Sequence, residues 1–194
     1  MTSTLTGWDR SMAAAEDVKD RMRRAAAALS AAGVPFAVVG GNAVADWVGS
    51  VDQDAVRITK DVDILLRRAD LPAATAAMAA AGFVFAEVAG VSLFLDGPAG
   101  SPGRGVHLIF AGEKVRAGYA VPAPEVSAAV SGAGGLSVLG LEALVTMKLT
   151  SYRRKDQVHV QDLIGVGLID GTWPARLPPP LGDRLQALLD DPDG

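Results

Sequence analysis

The sequence has no cysteine and only two histidines among its 194 residues. The absence of cysteine excludes disulfide bonds and thiolate metal sites, and it favours a cytoplasmic location. No apolar run approaches the roughly 18 residues of a membrane-spanning helix, because the nearest one, residues 34–48, is broken by proline, glycine, asparagine and aspartate. The first residues also lack the basic and then apolar pattern of a secretory signal. We therefore expect a cytoplasmic protein without membrane contact.

Positive charge is also scarce. Lysine and arginine number 18 against 22 aspartates and glutamates, so the formal net charge is −4. This balance disfavours broad binding to nucleic acid but leaves room for a local basic patch. The length and the 49% hydrophobic content suit one domain with a sizeable core.

Apolar periodicity and turn residues predict a chain of helices and strands. The predicted helices are 9–32, 42–48, 70–82, 141–152, 158–168 and 181–189, and the predicted strands are 34–39, 60–66, 83–88, 91–95 and 106–110. Residues 97–105 and 112–135 are expected to be loops, and 174–180 a proline-rich linker or packed arm. This order predicts an α/β (α+β) protein with a mixed sheet flanked by helices. We expect a core over 1–135 and a C-terminal helical segment over 136–194, packed as one unit.

Two aspartates stand in the predicted strand 60–66. Because side chains alternate along a strand, Asp61 and Asp63 share one face with Leu65. Two neighbouring carboxylates are costly near a core unless a cation neutralises them, and Mg²⁺ prefers oxygen ligands and phosphates. Arg57 and Lys60 precede the pair and are expected to balance its charge. The alternative is a strand end at which both aspartates are solvated.

A glycine pair follows the first predicted strand and precedes a short helix. Gly40 and Gly41 would expose backbone N–H groups near a helix N-terminus, which is a ready anion site. The alternative is a tight turn that needs positive φ.

Taken together, VVGGNAVADW and TKDVDILL resemble the nucleotidyltransferase superfamily. More narrowly, they are similar to its aminoglycoside and lincosamide members and to its abortive-infection toxin type. The resemblance implies the nucleotidyltransferase fold, with Gly40, Gly41 and Asn42 holding the triphosphate of an NTP such as ATP. It also implies that Asp61 and Asp63 bind Mg²⁺ or Mn²⁺, which activates the acceptor hydroxyl and the α-phosphate.

The resemblance continues in LEALVTMKLTSYRRKDQVHVQDLI, similar to a helical segment with a lysine, an arginine-rich turn and an aspartate. It implies that Lys148 contacts phosphate, and that Arg153, Arg154 and Lys155 contact phosphate or acceptor. The alternative is a solvated basic run. The implied activity is transfer of an NMP group to a hydroxyl of a small molecule or a macromolecule, in a transferase or a toxin–antitoxin-like protein.

One position departs from the superfamily pattern. In VHLIF, His107 stands where a third carboxylate is usual. Three interpretations follow. In the first, His107 is the general base, a role that suits its ordinary pKa of about 6.5. In the second, the protein is a degenerate module that binds a nucleotide or a partner, and in the third the strand is misaligned and Asp96 or Glu113 supplies the carboxylate. A core histidine without catalytic function is a further alternative. The fold would serve other small-metabolite chemistry if His107 and His159 formed an acid/base pair.

The other histidine belongs to a predicted helix face. Asp156, His159 and Asp162 are spaced three residues apart and share that face. The face either lines a cleft opposite Asp61 and Asp63 or lies at the surface with local ion pairs.

Overall fold

The structure, a computed structural model, describes residues 6–191. The helices are α1 (Gly7–Ala31), α2 (Gly40–Gly49), α3 (Leu71–Ala80), α4 (Leu141–Ser151), α5 (Arg154–Gly165) and α6 (Pro179–Asp190). The strands are β1 (Phe36–Val39), β2 (Val62–Leu66), β3 (Phe83–Val88), β4 (Val91–Asp96), β5 (Val106–Phe110), β6 (Ala129–Ser131) and β7 (Ser137–Leu139).

Within residues 6–191, seven strands form one mixed sheet in the order β3-β4-β5-β2-β1-β7-β6. The pairs β2–β5 and β1–β7 are parallel, and the other neighbours are antiparallel. The predicted class, a mixed sheet with helices in an α+β protein, is therefore confirmed.

Helices cover both faces of the sheet, and β2 contributes to both. Val62, Ile64 and Leu66 pack in one buried cluster with α1 and α3, whereas Leu65 packs in the other with α2, α4, α5 and α6. Because side chains alternate, Asp63 emerges on the same face as Leu65. The alternation of β2 thus directs the acidic pair toward α2, α4 and α5.

Most predicted elements are present, with some shifted ends. Helix α5 begins at Arg154 instead of 158, because the polar start of this helix carries no apolar periodicity. The predicted proline-rich arm 174–180 is partly helical: Pro179 and Pro180 begin α6, since the first turn of a helix tolerates proline. Strands β6 and β7 were not predicted.

The short strands β6 and β7 form an antiparallel hairpin, and β7 also lies beside β1. The predicted division at residue 135 falls within this hairpin. The two predicted parts of the chain therefore contribute to one sheet. Within the described part of the chain, no helix combines the length and hydrophobicity that crossing a bilayer requires.

Candidate functional site

A cleft of about 680 Å³ opens on the α2, α4 and α5 side of the sheet. Its walls come from the start of α2, the start of β2, strand β5, the segment 115–123 and the facing sides of α4 and α5. The predicted site residues that line it are Gly40, Gly41, Asp61, Asp63, His107, Lys148 and Arg153. The topology thus brings together side chains that are far apart in sequence.

Gly40 and Asp63 are in direct contact in the wall of the cleft. Gly40 has φ +69°, which favours glycine, and a Cβ on it would overlap the Asp63 carboxylate. The antiparallel pairing of β1 with β2 sets this contact, because Val39 lies opposite Asp63. A side chain at this position would have to displace the Asp63 carboxylate.

The first turn of α2 faces the cleft. Its first amide groups have no intrahelical partner, as at the start of any α-helix, and the side chain of the N-cap residue Val39 makes no capping hydrogen bond among the described residues. Such amides bind anions. A Cβ on Gly41 would lie 2.8 Å from Thr59 Oγ1, so Gly41 permits close packing of the loop before β2.

Asn42 links α2 to the start of β2 by a hydrogen bond. Its Nδ2 donates a 2.7 Å hydrogen bond to the backbone carbonyl of Asp61. Asn42 therefore holds the start of β2 against the helix and helps to position Asp61. Its predicted contact with a triphosphate stays a prediction.

The two aspartates line the cleft and each has a cationic or titratable neighbour. Asp61 Oδ2 lies 3.7 Å from Lys155 Nζ, and Asp63 Oδ1 lies 3.7 Å from His107 Nδ1. Among residues 6–191, no group of three or more His, Asp or Glu side chains is placed to bind one metal ion. Mg²⁺ usually takes one or two carboxylates and completes its shell with water and substrate phosphates. The two carboxylates therefore suit an ion that arrives with a triphosphate better than a resident structural metal.

His107 lies beside Asp63 because β5 runs parallel to β2 and pairs these two residues. Its Nε2 is 3.2 Å from the Pro102 carbonyl, which only accepts, so Nε2 carries a proton. Contact with the Asp63 carboxylate raises the pKa of His107, against the opposing effect of burial. A protonated Nδ1 also suits the neighbouring carboxylate. The raised pKa favours the protonated form of His107 beside Asp63, and a cation bound to Asp63 would instead favour the neutral form.

The interpretation that Asp96 or Glu113 replaces the third carboxylate is set aside. Asp96 accepts hydrogen bonds of 2.8 and 2.9 Å from Arg24 on α1, on the opposite face of the sheet. Glu113 pairs with Arg68 at 2.6 and 2.7 Å. Neither carboxylate lines the cleft, because each lies against an arginine elsewhere.

A buried ionic cluster forms the side of the cleft where α4 meets α5. Asp156 is 1% exposed and accepts hydrogen bonds of 2.7 Å from Ser151 and from Arg153 Nε. Lys148, 5% exposed, donates to Asp156 Oδ1 at 3.3 Å and contacts His159 Nδ1 at 2.9 Å. Burial acts to raise the pKa of Asp156, but these donors and charges lower it to about 2. Asp156 is therefore ionised throughout the physiological range.

The predicted helix face of Asp156, His159 and Asp162 fits each alternative in part, because one end lines the cleft and the other forms a surface ion pair. His159 lines the cleft, whereas Asp162 pairs with Arg57 at 2.8 Å. The expectation that Arg57 balances the acidic pair is therefore wrong, and Lys155 takes that place beside Asp61. Both corrections come from contacts between distant segments, which residue spacing does not reveal.

Apart from Glu113, sequence reasoning assigned no function to the residues of the segment 113–123. Its ends are joined by a 2.8 Å hydrogen bond from Ala123 N to the Glu113 carbonyl, which closes it into a compact loop. The loop contributes Val115, Arg116 and Tyr119 to the cleft wall. No periodicity or motif marks these residues, so sequence offered no signal for them.

The chain matches no protein-family model, and no curated protein is significantly similar to it in sequence. Function is therefore inferred from the geometry of the cleft.

Proposed function

We propose that this chain has the nucleotidyltransferase fold and catalyses metal-dependent transfer of an NMP group from an NTP to a hydroxyl. The observation that carries the proposal is the contact of the Asp63 carboxylate with Gly40, at the uncapped start of α2. Asp61 lines the same cleft, so carboxylates and backbone amides converge where a metal-bound triphosphate would lie.

The topology supports the same proposal. Strand β1 ends at the glycine pair and runs antiparallel to β2, which follows Asp61 and carries Asp63. Strand β5 runs parallel to β2 and brings His107 to the position next to Asp63. These adjacencies bring together the glycine pair, Asp63 and His107, and the resemblance implies that these positions share one site.

Each group in the cleft has a defined task in the proposed reaction. The first amides of α2 and the Lys148 ammonium donate to phosphate oxygens, and Asp61 and Asp63 hold Mg²⁺ or Mn²⁺. The bound ion would polarise the α-phosphate and lower the pKa of the acceptor hydroxyl. The acceptor oxygen bonds to the α-phosphorus as the bond to the β-phosphate breaks, and pyrophosphate leaves. In its neutral form, His107 takes the hydroxyl proton.

The proposal is tested by calorimetric titration of each of the four common NTPs, with Mg²⁺ or Mn²⁺ present or removed by chelation. We expect at least one NTP to bind more tightly with the ion. The variant Asp61→Asn with Asp63→Asn should lose at least about tenfold in affinity, since it removes both anionic ligands. Asp183→Asn is the matched control, because this exposed aspartate lies on α6 away from the cleft. Unchanged affinity in the double variant would refute the metal role, and no binding of any NTP would refute the proposal.

A second candidate is a nucleotide-binding module that does not transfer. The contact between His107 and Asp63 favours it, because a protonated His107 would compete with a metal ion. Labelled NTP and a panel of hydroxyl acceptors distinguish the two functions. Loss of transfer in His107→Asp would show that His107 is catalytic, whereas gain of transfer would show that the natural protein is a binder.

A further inference from the structure

Lys148 is held by two acceptors of different charge. Its ammonium carries three N–H groups, of which one donates to Asp156 Oδ1 and one to His159 Nδ1. Lys148, Asp156 and His159 all line the cleft. Burial lowers the pKa of Lys148, and the negative charges of Asp156 and Asp63 oppose that effect. One N–H group of Lys148 is thus left for a ligand.

The tautomer of His159 follows from this contact. An ammonium only donates, so Nδ1 of His159 must accept and its proton must lie on Nε2. Burial and the positive charge of Lys148 lower the pKa of His159 to about 4, so the ring is neutral near pH 7. The neutral ring keeps its lone pair available to the lysine.

The net charge of the cluster of Lys148, Arg153 and Asp156 is preserved because the acceptor, His159, is neutral. Lys148 and Arg153 carry two positive charges and Asp156 carries one negative charge, so the cluster keeps an excess of positive charge. A carboxylate in place of His159 would also hold the ammonium but would cancel that excess. An imidazole fixes the direction of the ammonium without weakening its attraction for phosphate.

We infer that His159 is a positioning residue: its Nδ1, together with Asp156, holds the Lys148 ammonium so that the remaining N–H group binds a phosphate oxygen of the nucleotide. This inference rests on the proposed function, which makes Lys148 a phosphate contact. It adds the residue that holds this lysine in place.

The test compares His159→Leu with His159→Asn. Leucine fills a similar volume without an acceptor, whereas asparagine places its Oδ1 close to the position of the imidazole Nδ1. We expect His159→Leu to weaken NTP binding by about tenfold and His159→Asn to stay within about threefold of the wild type. Equal losses in the two variants would overturn the inference, and melting temperatures establish that both variants fold.

A double-mutant cycle with Lys148→Met separates positioning from a merely structural role. If His159 acts through Lys148, adding His159→Leu to Lys148→Met should change NTP affinity by less than about twofold. Full additivity of the two losses would overturn the inference.

Nitrogen-15 NMR of the free protein tests the inference without nucleotide. At neutral pH, His159 should show a protonated Nε2 and an unprotonated Nδ1. A protonated Nδ1 would overturn the inference even if the NTP titrations succeed. The converse outcome is that no NTP binds while the free protein shows the expected His159 tautomer and Lys148→Met changes that tautomer. In that outcome the proposed function fails and the positioning contact stands.

Discussion

At the scale of single residues, Gly40 has a left-handed backbone conformation and contacts Asp63. We predict that Gly40→Ala weakens NTP binding by more than about tenfold, because the new methyl group displaces the carboxylate. Gly33→Ala is the control, since Gly33 has φ +64° but nothing within 4 Å of its Cβ position. Both variants should lose about 1 kcal/mol of unfolding free energy from backbone strain, and Gly40→Ala should lose more because its Cβ overlaps the Asp63 carboxylate. NTP titration and urea unfolding measure the two effects, and equal binding in both variants would contradict the prediction.

Asp156 links stability to pH at the same scale. Its pKa is about 2 in the folded protein against an ordinary 3.8, so it favours folding by roughly 2 kcal/mol. Because the folded pKa is the lower one, this contribution is fully present above about pH 4 and is lost as the pH falls through about 2.

We predict that Asp156→Asn lowers the unfolding free energy at pH 7 by roughly 2 to 4 kcal/mol, since it also leaves Lys148 buried without its counter-charge. The variant should also show a weaker fall in stability between pH 4 and pH 2. Urea unfolding across this range measures both effects. Asp20→Asn, which removes an exposed pair with Arg24, should cost less than about 1 kcal/mol. A similar cost in both variants would contradict the account of the buried cluster.

At the scale of elements, one ion pair ties the loop before β2 to helix α5. Arg57 is 67% exposed, so its pair with Asp162 should add less than about 1 kcal/mol to global stability. It nevertheless anchors a segment that leads directly to Asp61. We predict that Arg57→Asp speeds amide hydrogen exchange in residues 55–61 while the melting temperature changes little.

The charge swap is the matched control for this prediction. Arg57→Asp combined with Asp162→Arg restores opposite charges and should restore slow exchange in residues 55–61. If exchange is unchanged in the single variant, the pair does not order the loop.

Sequence predicted the elements of the site better than their contacts. Strand β2 is foreseeable because apolar residues alternate with Asp61 and Asp63, and this alternation also places both aspartates on one face. The hairpin β6–β7 is not foreseeable, because its three-residue strands are too short for a periodic signal. Lys155 beside Asp61 escaped prediction because spacing along a chain does not specify which distant side chains meet.

At the scale of the whole molecule, one sheet joins the two buried clusters. We predict that Ile64→Ala destabilises the protein by roughly 2 to 5 kcal/mol, because Ile64 is fully buried in the cluster with α1 and α3. Trp47 and Trp173 lie in or against the other cluster. In a Trp8→Phe background, their fluorescence should report the same lowered unfolding midpoint as circular dichroism. A fluorescence midpoint unchanged by Ile64→Ala would show that the two faces unfold independently.

The most direct test of the proposed site is a crystal structure with Mn²⁺ and a non-hydrolysable analogue of the NTP that binds best. The proposed site predicts an anomalous Mn²⁺ peak in contact with both Asp61 and Asp63, with the triphosphate on the amides of Gly40 and Gly41. A triphosphate bound elsewhere, or an ion that contacts neither aspartate, would contradict it.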